Sequence, residues 1–467
     1  MFSKFLNDSK LKLKQLLSIL LKSYRYVSIL GTDVKSMRYM VNKVNTSISE
    51  GFDSERGFVA KMSNGGAFFE YSFDVMPSDV EEFAKDILEK VKLNGELNEV
   101  STLPIEEESL KKDFERETDI DSFSSKEIIG KLSTLKDQIL ASDSHYVNGM
   151  AMLSYVATSK LFLSNKKELT QSYTWVNGML LGYYVDGKMV AVRGDSYGTK
   201  IAGVMNDLPS QIEKILAKAQ HLVKAKPIEP GVYDVVTHPS ISGLIAHEAF
   251  GHGVEMDQFV KDRAIAKEYI NKYVASPLVS MKDGANSALS TASYFFDDDG
   301  VLAHDTQIIK DGILLGGICD LVSSRQLSCE PTGNGRRQSF KNKAYTRMTN
   351  TFFEGGKDSV EDMIKSIKHG YMLFETNNGM EDPKNWAIQC VCEYGIEIVD
   401  GKLTENYVSP VVMSGYVPDL LKSISMVSPD VSVIGAGSCG KGYKEWVRVS
   451  DGGPYLKARV KLSWWID

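Results

Sequence analysis

The chain has 467 residues, with 54 basic and 61 acidic side chains, a formal net charge of −7, and 43% apolar residues. This is globular composition, long enough for two or three domains at about 100–200 residues each. The mild acidity speaks against a duplex-wide nucleic-acid footprint, which needs a basic face, and 38 glycines and 13 prolines are too few for a fibrous or disordered chain.

No run approaches the ~18 consecutive apolar residues of a membrane span. Lys10 to Leu30 has apolar residues spaced like one helix face and no small-residue cleavage site, so it reads as an amphipathic first helix, not a secretory signal. A cytoplasmic location follows as the default. Pro77-Ser-Asp-Val opens a helical pattern through Phe83, Ile87, Leu88 and Val91, with Ser78 or Asp79 placed to cap it. Glu96 to Ser124 carries ten acidic residues and reads as a solvated connection, and Ser125 to Leu140 turns helical again. Tyr146 to Tyr155, Tyr173 to Tyr184 and Met189 to Arg193 alternate as antiparallel strands do, with a turn at Asp186-Gly187.

A charged helix, Gln211 to Lys224, leads into Lys226-Pro-Ile-Glu-Pro-Gly231, whose two prolines and glycine mark a domain boundary. The expectation is an α+β chain: an N-terminal mixed α/β domain over 1–225, serving substrate access and dimerisation, and a β-rich domain over 226–467. In the second part, turns fall at Asp298-Asp-Gly300, Asp311-Gly312 and Asp400-Gly401, and helical patterns interrupt near Ser240 to His252 and Ser359 to His369.

The sharpest chemical signal lies in the first of those helices: His247-Glu248-Ala-Phe-Gly-His252. Two histidines and a glutamate in an apolar helical run suggest zinc, with the glutamate as general base on a water whose pKa the metal lowers. The spacing is one residue longer than the common zincin motif. Positions i and i+5 diverge by about 140° on a regular α-helix, so His247 and His252 would aim apart. Either a π-bulge or a helix ending at Gly251 would bring them together, and Gly251 and Gly253 make such a distortion cheap. The competing reading is two unrelated histidines at a helix end.

A catalytic zinc site needs a third protein ligand. The five cysteines are odd in number and clustered in the C-terminal third, a poor disulfide framework that suits a reducing compartment. Cys390 and Cys392 share one parity with Trp386, Ile388, Tyr394, Ile396 and Ile398, so they read as core of a long strand. Cys319 and Cys329 have no histidine nearby and stay unassigned. Cys439 lies in Gly435-Ala-Gly-Ser-Cys-Gly-Lys-Gly442, read as a loop where backbone can approach a ligand. This segment comes within one residue of a P-loop at Lys441, but it lacks the Ser or Thr and the following helix that a P-loop needs. The stretch after it, Glu445 to Ser450, has strand composition, and Asp451-Gly-Gly-Pro454 reads as a turn. A Gly-rich turn at Glu330 to Arg337, followed by Arg347, could hold a carboxylate or phosphate, or simply be a solvated loop. Asp257, five residues past His252, is a candidate to orient a ligand imidazole, or a plain surface aspartate.

His247-Glu-Ala-Phe-Gly-His252-Gly, Asp298-Asp-Gly300, Pro331-Thr-Gly-Asn-Gly-Arg-Arg337, Arg347-Met-Thr-Asn-Thr351 and Gly437-Ser-Cys-Gly-Lys441 together resemble, in order, the motifs of the TldD/PmbA family of zinc metallopeptidases, in its HExxxH-bearing branch. The resemblance covers the chain from about Val232 onward. It implies Zn2+ held by His247, His252 and Cys439, with Glu248 as catalytic base. It also implies cleavage of unstructured peptides and assembly as a homodimer or with a PmbA/TldE-like relative. The family's older label, modulator of DNA gyrase, implies no direct nucleic-acid binding. Two rivals stand beside this reading: a non-catalytic assembly subunit with a structural zinc, and a nucleotide-binding protein using the Cys439 segment.

Overall fold

The computed structural model describes residues 1–92, 105, 108–442 and 445–464. In the N-terminal part, β-branched and aromatic residues alternating with polar ones produce unusually long strands. These are β1 (Tyr26–Asn42), β2 (Thr46–Glu50), β3 (Glu55–Ser63), β4 (Phe68–Phe73), β5 (Leu110–Glu115), β6 (Tyr146–Ser164), β7 (Lys167–Asp186) and β8 (Lys188–Gly198). Among the described residues they form one sheet in the order β4-β3-β1-β6-β7-β5, with β2 also on β1 and β8 on β7. The pairs β1–β6, β6–β7 and β7–β8 are antiparallel, while β5 runs parallel to β7.

Helices cover this sheet where their apolar stripes demand it. Helix Lys4–Leu20 buries Leu6, Leu13, Leu16 and Leu20 against Ile29, Phe58 and Leu161, together with Ala84 and Ile87 of helix Val80–Lys92. Burying each such leucine contributes about 1.5–3 kcal/mol. Helix Ser125–Ser142 and helix Gln211–Leu222 share a second cluster, in which Leu132, Leu135 and Ile215 meet Leu153 and Leu180. Helix starts follow the sequence closely. Asp79 Oδ1 accepts from the Glu81 and Glu82 amides, and Ser124 with Glu127 closes a capping box.

The C-terminal part contributes β9 (Gly231–Thr237), β10 (Met281–Asp283), β11 (Thr306–Lys310), β12 (Ile313–Leu314), β13 (Gly335–Arg336), β14 (Tyr345–Thr346) and β15 (Asn350–Phe353). It continues with β16 (His369–Asp382), β17 (Ala387–Val399), β18 (Lys402–Val408), β19 (Val411–Tyr416), β20 (Met426–Val427), β21 (Ser432–Lys441), β22 (Glu445–Gly453) and β23 (Leu456–Ser463). Three sheets result among the described residues: β16-β9-β23-β19-β17-β18 with β20 on β23, β12-β11-β10-β15-β22-β21, and the short pair β13-β14; the first two are the larger. The helical segment Pro239–Val254 packs between those two, in a core that includes Ile245, Ala249, Phe250, Met348, Ile388 and Val449. The chain is thus a mixed, β-rich α+β fold, and no helix among the described residues is long and apolar enough to cross a membrane.

The Asp298-Asp-Gly300 turn docks the two parts on each other. Asp299 pairs with Lys61 at 2.5 Å, Asp298 with Lys160, and Arg337 with Glu70 at 3.0 Å. A Cβ on Gly300, whose φ is +72°, would fall 2.2 Å from Phe162 Cε1, so only glycine fits there.

Several sequence expectations are corrected. The first helix ends at Leu20, and Tyr26 already begins β1, because Tyr-Val-Ser-Ile-Leu favours a strand. The acidic connection holds strand β5 from Leu110, although Glu96 to Pro104, Glu106 and Glu107 lie outside the described residues. The helix expected to reach His369 spans Val360–Lys365, and His369 opens β16. Gly435 to Lys441 is strand rather than loop, and Asp451-Gly-Gly453 continues β22 instead of turning.

Candidate metal centre

Helix Pro239–Leu244 passes directly into a π-helix over Ile245–Gly251. Of the two distortions the sequence left open, this is the one realised. The His252 amide donates to the His247 carbonyl, an i→i+5 bond that places the two histidines one above the other. Gly251 serves a different purpose from the one expected. Its backbone is ordinary right-handed helix, but a Cβ would lie 2.1 Å from Met348 Sδ, so the residue is small to let the π turn pack.

Cys439 arrives from strand β21. It pairs with Val447 of β22, and its Sγ stands 3.5 Å from His252 Nε2. One ligand atom from each of His247, His252 and Cys439 lies within 4.8 Å of the others. The imidazole planes are nearly perpendicular, 84° apart. Burial would raise the Cys439 thiol, but the flanking His252 and His247 imidazoles outweigh it and bring it down to about 4. Burial alone would lower His247, yet the thiolate lifts it to about 9 and lifts His252 as well, with help from Glu255. Two imidazoles and a thiolate converging on the cleft wall are a donor set that suits zinc. His247 Nδ1 is buried without a hydrogen-bond partner, so that ring is not committed to a purely structural network.

Glu248 sits beside the trio, with carboxylate oxygens 3.9 Å from His247 Nε2 and 3.8 Å from His252 Nε2. Its room comes from Gly379 of β16, where a Cβ would fall 2.6 Å from Glu248 Cγ. The wall opens onto a cleft of 2140 Å³ lined from both parts of the chain. Arg193, Tyr197 and Lys218 come from the N-terminal part, and Glu248, Gly379 and Cys439 from the C-terminal part.

Glu255, not Asp257, is the carboxylate that contacts the His252 imidazole. Its Oε1 is 2.6 Å from His252 Nδ1, whereas Asp257 turns to Lys441 at 2.8 Å. Burial would raise Glu255, but Lys441 and His252 hold it at about 2, while burial pushes Asp257 up to about 6. A carboxylate three residues beyond His252 was the signal available for Glu255. No local pattern marks Glu381 or Asp451, which burial raises to about 8 and about 6 beside the site.

The remaining candidates separate cleanly. Cys390 and Cys392 are fully buried in the core, as their parity implies. Cys319 and Cys329 contact each other away from the trio. Lys441 is locked between two carboxylates, and among the described residues no phosphate cradle forms around it. The arginines of the Gly-rich turn form no free anion site. Arg336 donates to the Met348 carbonyl, Arg337 pairs with Glu70, and buried Arg347 donates to the Cys439 and Glu445 carbonyls.

Residues 230–461 match the PmbA/TldA metallopeptidase C-terminal domain. A metalloprotease of Methanothermobacter thermautotrophicus is 30% identical over 336 residues, covering 68% of this chain and 72% of that protein. A zinc metalloprotease TldD homolog of Saccharolobus solfataricus is 30% identical over 259 residues, covering 53% and 56%. The solved structure of TldE from Thermococcus kodakarensis shares the fold, with a TM-score of 0.77 at 18% identity over 97% of this chain and 100% of that one.

Proposed function

The chain belongs to the PmbA/TldD family of metallopeptidases, and from that premise we propose that it hydrolyses unstructured peptides, with His247, His252 and Cys439 holding zinc and Glu248 as general base. The observation that carries this reading is the trio within 4.8 Å, with the Glu248 carboxylate within 4 Å of both imidazoles, on the wall of a cleft large enough for a peptide. Zinc in that position supplies a Lewis acid for the scissile carbonyl and the attacking water. Glu248 accepts the proton of that water and returns it to the leaving amine. Glu255 accepts from His252 Nδ1–H and so presents the other ring nitrogen as a donor. Three donors rather than a closed set of four converge among the described residues, which favours catalysis over the structural-zinc alternative.

Strand β21 is the edge of its sheet and lines the cleft. An extended peptide can pair with such an edge through its backbone, which tolerates many side chains and excludes folded proteins whose backbone is already paired. Residues 1–225 form the second wall and would govern access and dimerisation. The TldE-like fold supports a partner that is a second copy or a PmbA/TldE-like relative. A cytoplasmic site of action and the absence of direct nucleic-acid contact belong to the same reading.

The test is metal content and cleavage of an unfolded peptide by wild type and Glu248→Gln, each alone and mixed with a PmbA/TldE-like relative. Both should hold about one zinc per chain, while the variant loses about 100- to 10,000-fold in cleavage rate. Undiminished cleavage by Glu248→Gln would remove it as the base.

A further inference from the structure

Lys441 is buried, yet its ammonium is fully used. Nζ donates to Glu255 Oε2 at 2.5 Å, to Asp257 Oδ1 at 2.8 Å and to the Thr346 carbonyl at 2.8 Å. The acceptors come from two separate stretches: the segment just after His252, which holds both Glu255 and Asp257, and β14, whose next residue Arg347 grips the Cys439 carbonyl at 2.6 Å. Lys441 itself lies two residues beyond Cys439 on β21, so both side chains leave the same face of the strand. Among the described residues β21 is an edge strand, so its ladder to β22 holds it from one side only. The Glu255 carboxylate that Lys441 grips by Oε2 uses Oε1 to hold His252 Nδ1.

We propose that Lys441 is a positioning residue for the metal centre, fastening the Cys439 strand to the carboxylate that aims His252, so that thiolate and imidazole are set by one shared clamp. This rests on the reading of His247, His252 and Cys439 as the ligand set. The clamp makes two ligands that are 187 positions apart in sequence depend on one ammonium. Without it, Glu255 and Asp257 become buried carboxylates with no cation between them, and Glu255 has less reason to keep its aim on His252.

The experiment uses the full chain loaded with cobalt(II) in place of zinc, comparing wild type, Lys441→Met, Lys441→Arg, Glu255→Gln and the Lys441→Met/Glu255→Gln double variant. Affinity is read by chelator competition, and ligation by the thiolate-to-cobalt charge-transfer band. Lys441→Met should bind cobalt about 10- to 100-fold more weakly with an altered band, and Lys441→Arg should recover most of the loss. The double variant should be no weaker than the weaker single one, since both changes cut the same link. Unchanged affinity and band in Lys441→Met, or additive losses in the double variant, would overturn the clamp while leaving the ligand set standing. A wild type with no thiolate band overturns the ligand set and the clamp together. Should Lys441→Met fail to fold, Glu255→Gln decides alone, and wild-type affinity there overturns the proposal.

Discussion

Two polar clusters of this molecule meet the same electrostatic demand with different groups. At the seam between the two parts, Lys61 meets Asp299, Lys160 meets Asp298 and Arg337 meets Glu70. The carboxylate oxygens of Asp298 and Asp299 are all engaged, the second oxygen of each accepting a backbone amide, from Arg337 and Leu321. At the cleft wall, charges also converge, but His247 Nδ1 and Glu381 Oε1 are buried and unpartnered. The seam also keeps one buried atom without a partner, Arg337 Nε, so unpaired atoms alone do not mark a site. What separates the candidate site from the seam is the kind of group that converges: two imidazoles and a thiolate on the cleft wall, against lysines, an arginine and carboxylates paired with one another at the seam.

The largest contrast should come from Cys439→Ala. Sharing the roughly 10–16 kcal/mol of a protein zinc site among its donors assigns about 4 kcal/mol to the thiolate, or about 1,000-fold in affinity. Chelator competition measures it, and a loss below about tenfold would place the third ligand elsewhere. Stability should respond less, since the strand pairing of β21 with β22 remains.

Asp298→Asn probes the seam instead. It removes the carboxylate closest to half-buried Lys160, leaving only Glu55 nearby, and should cost about 1–3 kcal/mol in urea unfolding near neutral pH, with metal affinity unchanged. Burial raises the Asp298 carboxyl, but Lys160 and Arg337 outweigh it and hold it below its ordinary value. A group depressed on folding stabilises fully above its unfolded pKa of about 3.9 and loses that contribution as pH falls through the folded value. The gap between wild type and variant should therefore close on acidification below about pH 4. A gap that widens in acid would mean the pair is not what holds the seam.

The smallest effect belongs to Cys392→Ala. Its side chain is fully buried in the core, away from the trio, so the cost should be about 1 kcal/mol of stability with full metal content. Loss of metal in that variant would blur the line between packing and site.

Helix starts and the metal motif were legible because their causes are local. Asp79, Ser124 with Glu127, and His247-Glu248 each carry their partners within a few residues. The glycines of β21 and β22 misled, because their cause is distant. A Cβ on Gly435 would come 2.6 Å from Thr291 Cγ2, one on Gly452 2.2 Å from the Ser432 carbonyl, and one on Gly453 3.1 Å from Ser242 Cβ. They are small to let neighbouring segments approach, not to turn the chain. The convergence of Cys439 on the histidines was likewise readable only through family resemblance, since nothing in the spacing connects residues 252 and 439. The carboxylates that hold Lys441 are distant in sequence for the same reason, so its near-P-loop context, already lacking the Ser or Thr and the helix a P-loop needs, gave no sign of them.

The π turn at Ile245–Gly251 has a consequence for how this chain aligns with other metal sites. Such a turn houses one residue more than an α turn over the same backbone advance, so its histidine spacing is an insertion absorbed in place. Removing Ala249 would leave His-Glu-x-x-His on a regular helix, with the two imidazoles again stacked one turn apart. In evolutionary terms the two spacings are one gap apart, and a chain can cross between them without moving anything downstream of the helix.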